Sequence, residues 1–183
     1  MAMPFFTIGH STLPVAAFID LLRQAQVEVV VDIRTVPRSR TNPQYNADVL
    51  ADSLADVGIA YRQMPELGGL RSRQRDVPRT TNAFWENESF HNYADYAMGA
   101  DFRSGLTKLR TLGEARRCAI MCAEAVWWRC HRRIVADYLM AAGEAVFHIL
   151  GRGHVEPAEM TSAARSSPAG VLEYPAEASL FER

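Results

Sequence analysis

The run Val29-Val30-Val31, apolar without interruption and leading into Asp32-Ile33-Arg34, constrains this chain more than any other feature. β-Branched side chains are stiff and favour extended backbone. A strand with no polar alternation has no face to offer water, so it belongs in a sheet covered on both sides, as parallel sheets are. Similar segments recur. Phe5-Phe6-Thr7-Ile8 closed by Gly9, Ile59 to Gln63, Arg117 to Cys122 and Ala145 to Leu150 read as further strands.

Between them lie segments of helical period. Phe18, Ile19 and Leu22 mark one, with Ser11 or Thr12 as the expected cap and Pro14 in its first turn. Val49, Leu50, Leu54 and Val57 mark a second, opened by Asn46 and stopped by Gly58. Others run from Phe90 to Met98 and from Phe102 to Leu112. The last carries Trp127, His131, Ile134, Val135, Tyr138 and Leu139 on one broad face, with Gly143 past its end. The alternation predicts an α/β fold: a single domain with an open, mostly parallel sheet of about five strands and helices on both faces. Residues 1–151 are expected to form that domain. Residues 152–183, rich in Ala, Ser, Glu and Pro with one short strand near Val171-Leu172, read as an extension over or trailing from it. Residues 64–89 read as a long functional or mobile loop.

A net charge of −1 gives no overall field toward nucleic acid or membrane. The cations are skewed, however: Lys108 is the only lysine, so nineteen of the twenty are arginine, whose planar fork suits carboxylate and phosphate. Cys118, Cys122 and Cys130 are an odd number without a secretory framework. The first residues lack a basic stretch followed by a long apolar one, and no run of about eighteen apolar residues occurs, so a cytoplasmic protein without a membrane partner is expected.

In open α/β sheets, ligands bind outside the carboxyl ends of the strands. Four strands end in polar or special residues: Gly9-His10-Ser11, Asp32-Ile33-Arg34, Glu66-Leu67-Gly68-Gly69 and Cys122-Ala123-Glu124. Asp32 leaves a very apolar strand and needs a partner there. Arg34, Arg38 and Arg40, with Ser39 and Thr41, make a loop suited to gripping phosphate or carboxylate, or a solvated loop with local ion pairs. His10 reads equally as a structural histidine.

The densest cluster is Cys122-Ala123-Glu124 followed by Cys130-His131-Arg132. Three chemistries compete: Glu124 with His131 as an acid/base pair, Cys122 as a thiolate nucleophile, and Cys122, Cys130 and His131 as metal ligands. Against the metal, the cysteines are spaced more widely than in structural zinc sites, and Cys130 and His131, expected as helix neighbours, diverge by about 100°. Against the thiolate, six residues separate Cys122 from Arg129, and Glu124 would repel phosphate in such a loop. A small buried thiol is the plain alternative. No metal is expected, and the cofactor is left open, since Leu67-Gly68-Gly69 is not a dinucleotide fingerprint. Of the adjacent Trp127 and Trp128, one is expected inward and the other at the surface, where it could stack a base.

Taken together, Thr7-Ile8-Gly9-His10-Ser11, Val31-Asp32-Ile33-Arg34, Pro37-Arg38-Ser39-Arg40, Leu67-Gly68-Gly69 and Met121-Cys122-Ala123-Glu124 … Cys130-His131-Arg132 resemble the DUF488 family of bacterial and archaeal proteins. The motifs span Thr7 to Ile149. The resemblance implies an α/β domain and marks these motif positions; it brings no reaction with it.

Three classes of function fit the residues. The first is an enzyme of hydrolase or transferase type acting on a phosphate-bearing small molecule or nucleotide. Asp32, Glu124, His10 and His131 would supply catalysis, and Ser11, Arg34, Arg38, Ser39, Arg40, Gly68, Gly69, Cys122, Cys130 and Arg132 would hold the substrate. The second is a nucleic-acid-binding or processing module, favoured by eight arginines against five acidic residues between Arg34 and Arg79. The third is a non-catalytic ligand-binding domain on the same fold.

Overall fold

The computed structural model describes residues 2–177. The elements are β1 (Phe5–Gly9), α1 (Val15–Gln24), β2 (Val29–Asp32), α2 (Ala47–Ala55), β3 (Ala60–Gln63), α3 (Glu88–Ala97), α4 (Ala100–Ala115), β4 (Cys118–Cys122), α5 (Arg132–Ala141), β5 (Val146–Gly151), β6 (His154–Pro157), β7 (Arg165–Ser166) and β8 (Leu172–Glu173). One six-stranded sheet has the order β3-β2-β4-β1-β5-β6, and β7 and β8 form a separate antiparallel pair. Five strands of the large sheet run parallel; β6 returns antiparallel beside β5. The fold is therefore α/β and mostly parallel, as expected.

Successive side chains of a strand point to opposite faces, and the central strands show what that requires here. Phe5, Val29, Val31, Cys118, Ile120 and Cys122 face one core, formed with α3, α4 and α5. Phe6, Ile8, Val30, Ala119 and Met121 face the other, where α1 and α2 supply Phe18, Ile19, Leu22, Leu50 and Leu54. β1, β2 and β4 are buried along their whole length because both faces are covered.

The sheet has six strands rather than five because β6 gives no apolar signal; its residues are exposed or half-buried on a sheet edge. The helix starts also differ from expectation. α1 begins after Pro14, and neither Ser11 nor Thr12 caps it; Ser11 instead takes a left-handed backbone (φ 47) and donates its N–H to Ala123 O at 3.0 Å. α5 begins only at Arg132. Trp127–Arg129 form a separate 3-10 turn, and Cys130 is extended.

Residues 64–89 are not a loose loop. Leu67, Asn82 and Trp85 are buried. Tyr93 and Tyr96 of α3 donate their hydroxyls to Leu67 O and Glu66 O. The stretch after Gly151 reaches into the core as well: Leu172 and Tyr174 are fully buried, and Asp137 of α5 accepts bonds from Thr161 N (3.0 Å) and Tyr174 Oη (2.9 Å). Among the described residues no helix is long and apolar enough to cross a membrane.

Candidate functional site

Parallel register brings three strand ends together. Gly9 pairs with Cys122 and Asp32 with Met121, so the residues following β1, β2 and β4 emerge side by side at the carboxyl edge. They open into a cleft of about 670 Å³. Of the residues expected at a site, His10, Ser11, Arg34, Arg38, Ser39, Gly69, Cys122, Glu124, Cys130 and His131 line it; Asp32, Arg40, Gly68 and Arg132 do not.

Asp32 lies just behind the cleft, 1% exposed, with its carboxylate fully engaged. Oδ1 accepts from Arg34 N (3.0 Å) and Nε (2.9 Å), and Oδ2 accepts from Arg34 Nη2 (2.7 Å) and Tyr61 Oη (2.5 Å). This two-point ion pair fixes the plane of the Arg34 guanidinium, and Tyr45 O takes a further bond from Nη2 at 2.8 Å. The remaining nitrogen, Nη1, donates to His10 Nε2 at 3.3 Å. His10 donates from Nδ1 to Ser11 O at 2.8 Å and stacks on Tyr45 with ring centroids 4.1 Å apart. Burial holds its pKa below the usual imidazole value, so His10 is neutral with its tautomer set by these bonds. Asp32 and His10 thus orient Arg34 within the cleft wall. Arg40 is exposed and lies outside the lining, whereas Arg38, also exposed, belongs to it.

Gly9 and Gly68 allow two close approaches. A Cβ on Gly9 would fall on the backbone carbonyl of Glu124, and one on Gly68 would press to 2.7 Å of Thr35 Oγ1. The first lets the loop after β4 fold over the end of β1, and the second lets segment 68–70 close against the loop after β2.

The loop 122–130 is organised from beneath by Arg132, which is 1% exposed. Its Nη1 donates to Glu124 O (2.7 Å) and approaches Cys122 Sγ (3.4 Å); Nη2 donates to Ala125 O (3.2 Å). Two consecutive carbonyls are drawn inward. In trans peptides the N–H points opposite to the C=O, so the amides of Ala125 and Val126 face away from Arg132, on the outer side of a loop whose Ala125 lines the cleft. Glu124 N donates to Cys122 Sγ at 3.4 Å. Among the described residues Arg132 has no carboxylate partner, and its Nε has no hydrogen bond at all. A buried cation without a counter-anion is costly by several kcal/mol (about). The group placed to balance it is the Cys122 sulfur.

The thiol environment agrees. Cys130 Sγ is 2.6 Å from Cys122 Sγ. The hydrogen bond from Cys130 lowers the Cys122 pKa to about 6, against the opposing effect of burial and with further help from Arg132 and the Glu124 amide. Cys130 goes the other way, pushed up chiefly by burial, so the pair shares one proton and Cys130 keeps it. His131 donates Nε2–H to Ile33 O at 3.0 Å and turns Nδ1 toward Cys130 Sγ at 3.6 Å; burial lowers its pKa to about 4, which leaves it neutral.

Cys122, Cys130 and His131 thus offer three metal-binding atoms within 4.8 Å of one another. The expected divergence of Cys130 and His131 does not apply, because Cys130 precedes α5 in extended conformation and His131 is the residue before its first turn. Sequence reasoning missed Tyr45, Tyr61, Thr35 and the buried, unpaired state of Arg132. None has a local signal; each acts through a partner distant in the chain. Trp127 stacks on His148 at 4.5 Å and donates to Glu156, tying the loop to β5 and β6, while Trp128 is 48% exposed.

No curated protein and no solved structure matches the chain significantly. The family model described as "Domain of unknown function DUF488" matches residues 14–139, which carry β2, β4, the Arg34 loop and the Cys122–Arg132 cluster. By that match over well more than half its length, the chain belongs to the DUF488 family.

Proposed function

We propose that the chain is an enzyme that binds a phosphate-bearing small molecule in this cleft and attacks it with the Cys122 thiolate. The observation that carries the reading is Arg132: a buried guanidinium with no carboxylate partner among the described residues, 3.4 Å from Cys122 Sγ. Its charge is balanced when Cys122 is ionised. The thiolate, and not the thiol, is the nucleophile. The exposed Arg38 and Arg129 supply positive charge around the cleft, and Arg34, neutralised and held in plane by Asp32, presents a fixed guanidinium in its wall. The amides of Ala125 and Val126 add donors on the loop itself, as backbone N–H groups do in anion-binding concavities.

In the reaction, Cys122 Sγ forms a bond to phosphorus and the bond to the leaving oxygen breaks. The leaving oxygen takes a proton from solvent at the mouth of the cleft; water then attacks phosphorus, the S–P bond breaks, and Cys122 returns as the thiolate while phosphate leaves. Asp32 and His10 act by positioning Arg34.

The test uses iodoacetamide and para-nitrophenyl phosphate. Inorganic phosphate should protect Cys122 from alkylation, and Cys122→Ser should lower hydrolysis by at least about a thousandfold while the protein remains folded, as loss of a covalent nucleophile does. Hydrolysis that survives in Cys122→Ser, or alkylation indifferent to phosphate, overturns the reading.

A further inference from the structure

The displacement just described uses one cysteine, yet the fold delivers two to the same floor. Cys122 ends β4. Cys130 is brought back to it by the 3-10 turn Trp127–Arg129, whose Trp127 O accepts Cys130 N–H at 3.1 Å. The two sulfurs are 2.6 Å apart, inside ordinary sulfur–sulfur contact, and both residues line the cleft. Cys130 Sγ also accepts the backbone N–H of Arg132 at 3.5 Å and faces His131 Nδ1 at 3.6 Å. Cys118 provides an internal contrast. It lies on the same strand, fully buried, and its Sγ bonds to Arg116 O rather than to another thiol.

We infer that Cys122 and Cys130 form a redox couple, which closes to a disulfide when the cleft admits a peroxide and thereby withdraws the nucleophile. In the first step Cys122 Sγ attacks one oxygen of hydrogen peroxide. The O–O bond breaks, hydroxide leaves and is protonated by solvent, and Cys122 becomes a sulfenic acid. In the second, the Cys130 sulfur attacks the Cys122 sulfur. The S–O bond breaks, and the departing hydroxide takes the Cys130 proton and leaves as water. Two electrons pass from the dithiol to peroxide, which ends as two waters. An external dithiol reverses the change. Only the inhibitory half of this inference rests on the proposed displacement chemistry; disulfide formation does not.

The same three residues could hold a metal ion; the couple is favoured because Arg132 keeps a fixed cation against the side of Cys122, where a metal cation would be repelled.

The experiment treats the full, reduced chain with equimolar hydrogen peroxide and reads intact mass without reductant. The expected result is the loss of two hydrogens. Peptide mapping should join Cys122 to Cys130 and leave Cys118 free, and dithiothreitol should reverse the change. In Cys130→Ser the oxidation should stop at a sulfenic acid captured by dimedone; Cys118→Ser should behave like the unaltered protein. Hydrolysis of para-nitrophenyl phosphate should fall by more than about tenfold on oxidation and return on reduction, since the thiolate carries it. Oxidation of Cys122 beyond sulfenic acid without a cross-link overturns the inference. So does stoichiometric zinc that is bound by the reduced chain and lost in Cys122→Ser and Cys130→Ser. If the disulfide forms and hydrolysis is unaffected, the couple stands and the displacement reading falls.

Discussion

Asp32→Asn separates a positioning role for this residue from a chemical one. The carboxylate accepts four bonds, three from Arg34 and one from Tyr61, and the side chains of the Asp32–Arg34 ion pair are 0% and 7% exposed. Asparagine keeps one acceptor oxygen. Its amide nitrogen must then face Arg34 Nε or face both Nη2 and Tyr61 Oη, donor against donor in either case. Removing one partner of a buried ion pair costs about 3–5 kcal/mol, because the other charge is left uncompensated. Against a total stability of roughly 5–15 kcal/mol this is a large fraction. A chain of this size loses about 2–4 °C per kcal/mol, so the melting temperature should fall by roughly 6–20 °C. Urea unfolding followed by tryptophan fluorescence is the assay; the midpoint should move down with the slope unchanged. A variant within about 0.5 kcal/mol of the parent would refute the clamp, since that is the size of an ordinary surface effect. If such a stable variant had also lost hydrolysis, Asp32 would be a participant in the chemistry.

Two other perturbations address the loop above Arg132. Cys122 alkylation should rise with pH around a midpoint of about 6, and Arg132→Gln should move that midpoint toward the ordinary thiol value of about 8.5; an unmoved midpoint would show that Arg132 is not the counterion. Ionised Cys122 stabilises the fold increasingly as pH rises from about 6 toward the ordinary thiol value, a contribution lost as pH falls through about 6, whereas the raised pKa of Cys130 opposes it at higher pH. Gly9→Ala puts a methyl on the Glu124 carbonyl; overpacking of this kind typically costs about 1–3 kcal/mol. It should also alter the rate of Cys122 alkylation by displacing the loop, and a melting temperature and alkylation rate equal to the parent's would show that the approach is looser than described.

The central strands were legible because β1, β2 and β4 are covered on both sides, and double burial writes itself as an unbroken apolar run. The edge strand β6 was not, since one neighbour and an exposed face leave no such trace. Residues 64–89 are a loop, as expected, apart from a 3-10 turn at Pro65–Leu67 and the start of α3. What no local pattern announces is that Tyr93 and Tyr96 anchor its first turn through the carbonyls of Leu67 and Glu66. At the cleft, His10, Arg34, Cys122 and Glu124, all named from strand ends, line one opening. Strand-end reasoning could not distinguish a carboxylate that faces substrate from one consumed by its neighbour, as Asp32 is by Arg34. That difference depends on a side chain two residues away turning back, and on Tyr61 from another strand. The helix over Trp127–His131 was misplaced because a 3-10 turn and an α-helix share apolar spacing over so few residues.

The stretch beyond Gly151 changes what counts as the folding unit. Leu172 and Tyr174 complete the wall behind α5, and Asp137 is tethered to them through Tyr174 and Thr161. The recognisable family segment ends at residue 139, yet a gene fragment cut near that limit would encode a protein with an open flank. Tyr138, whose hydroxyl meets Leu172 on both its N–H and its carbonyl, would stand at the breach. Inheritance of the motif and autonomy of the fold therefore have different borders in this chain.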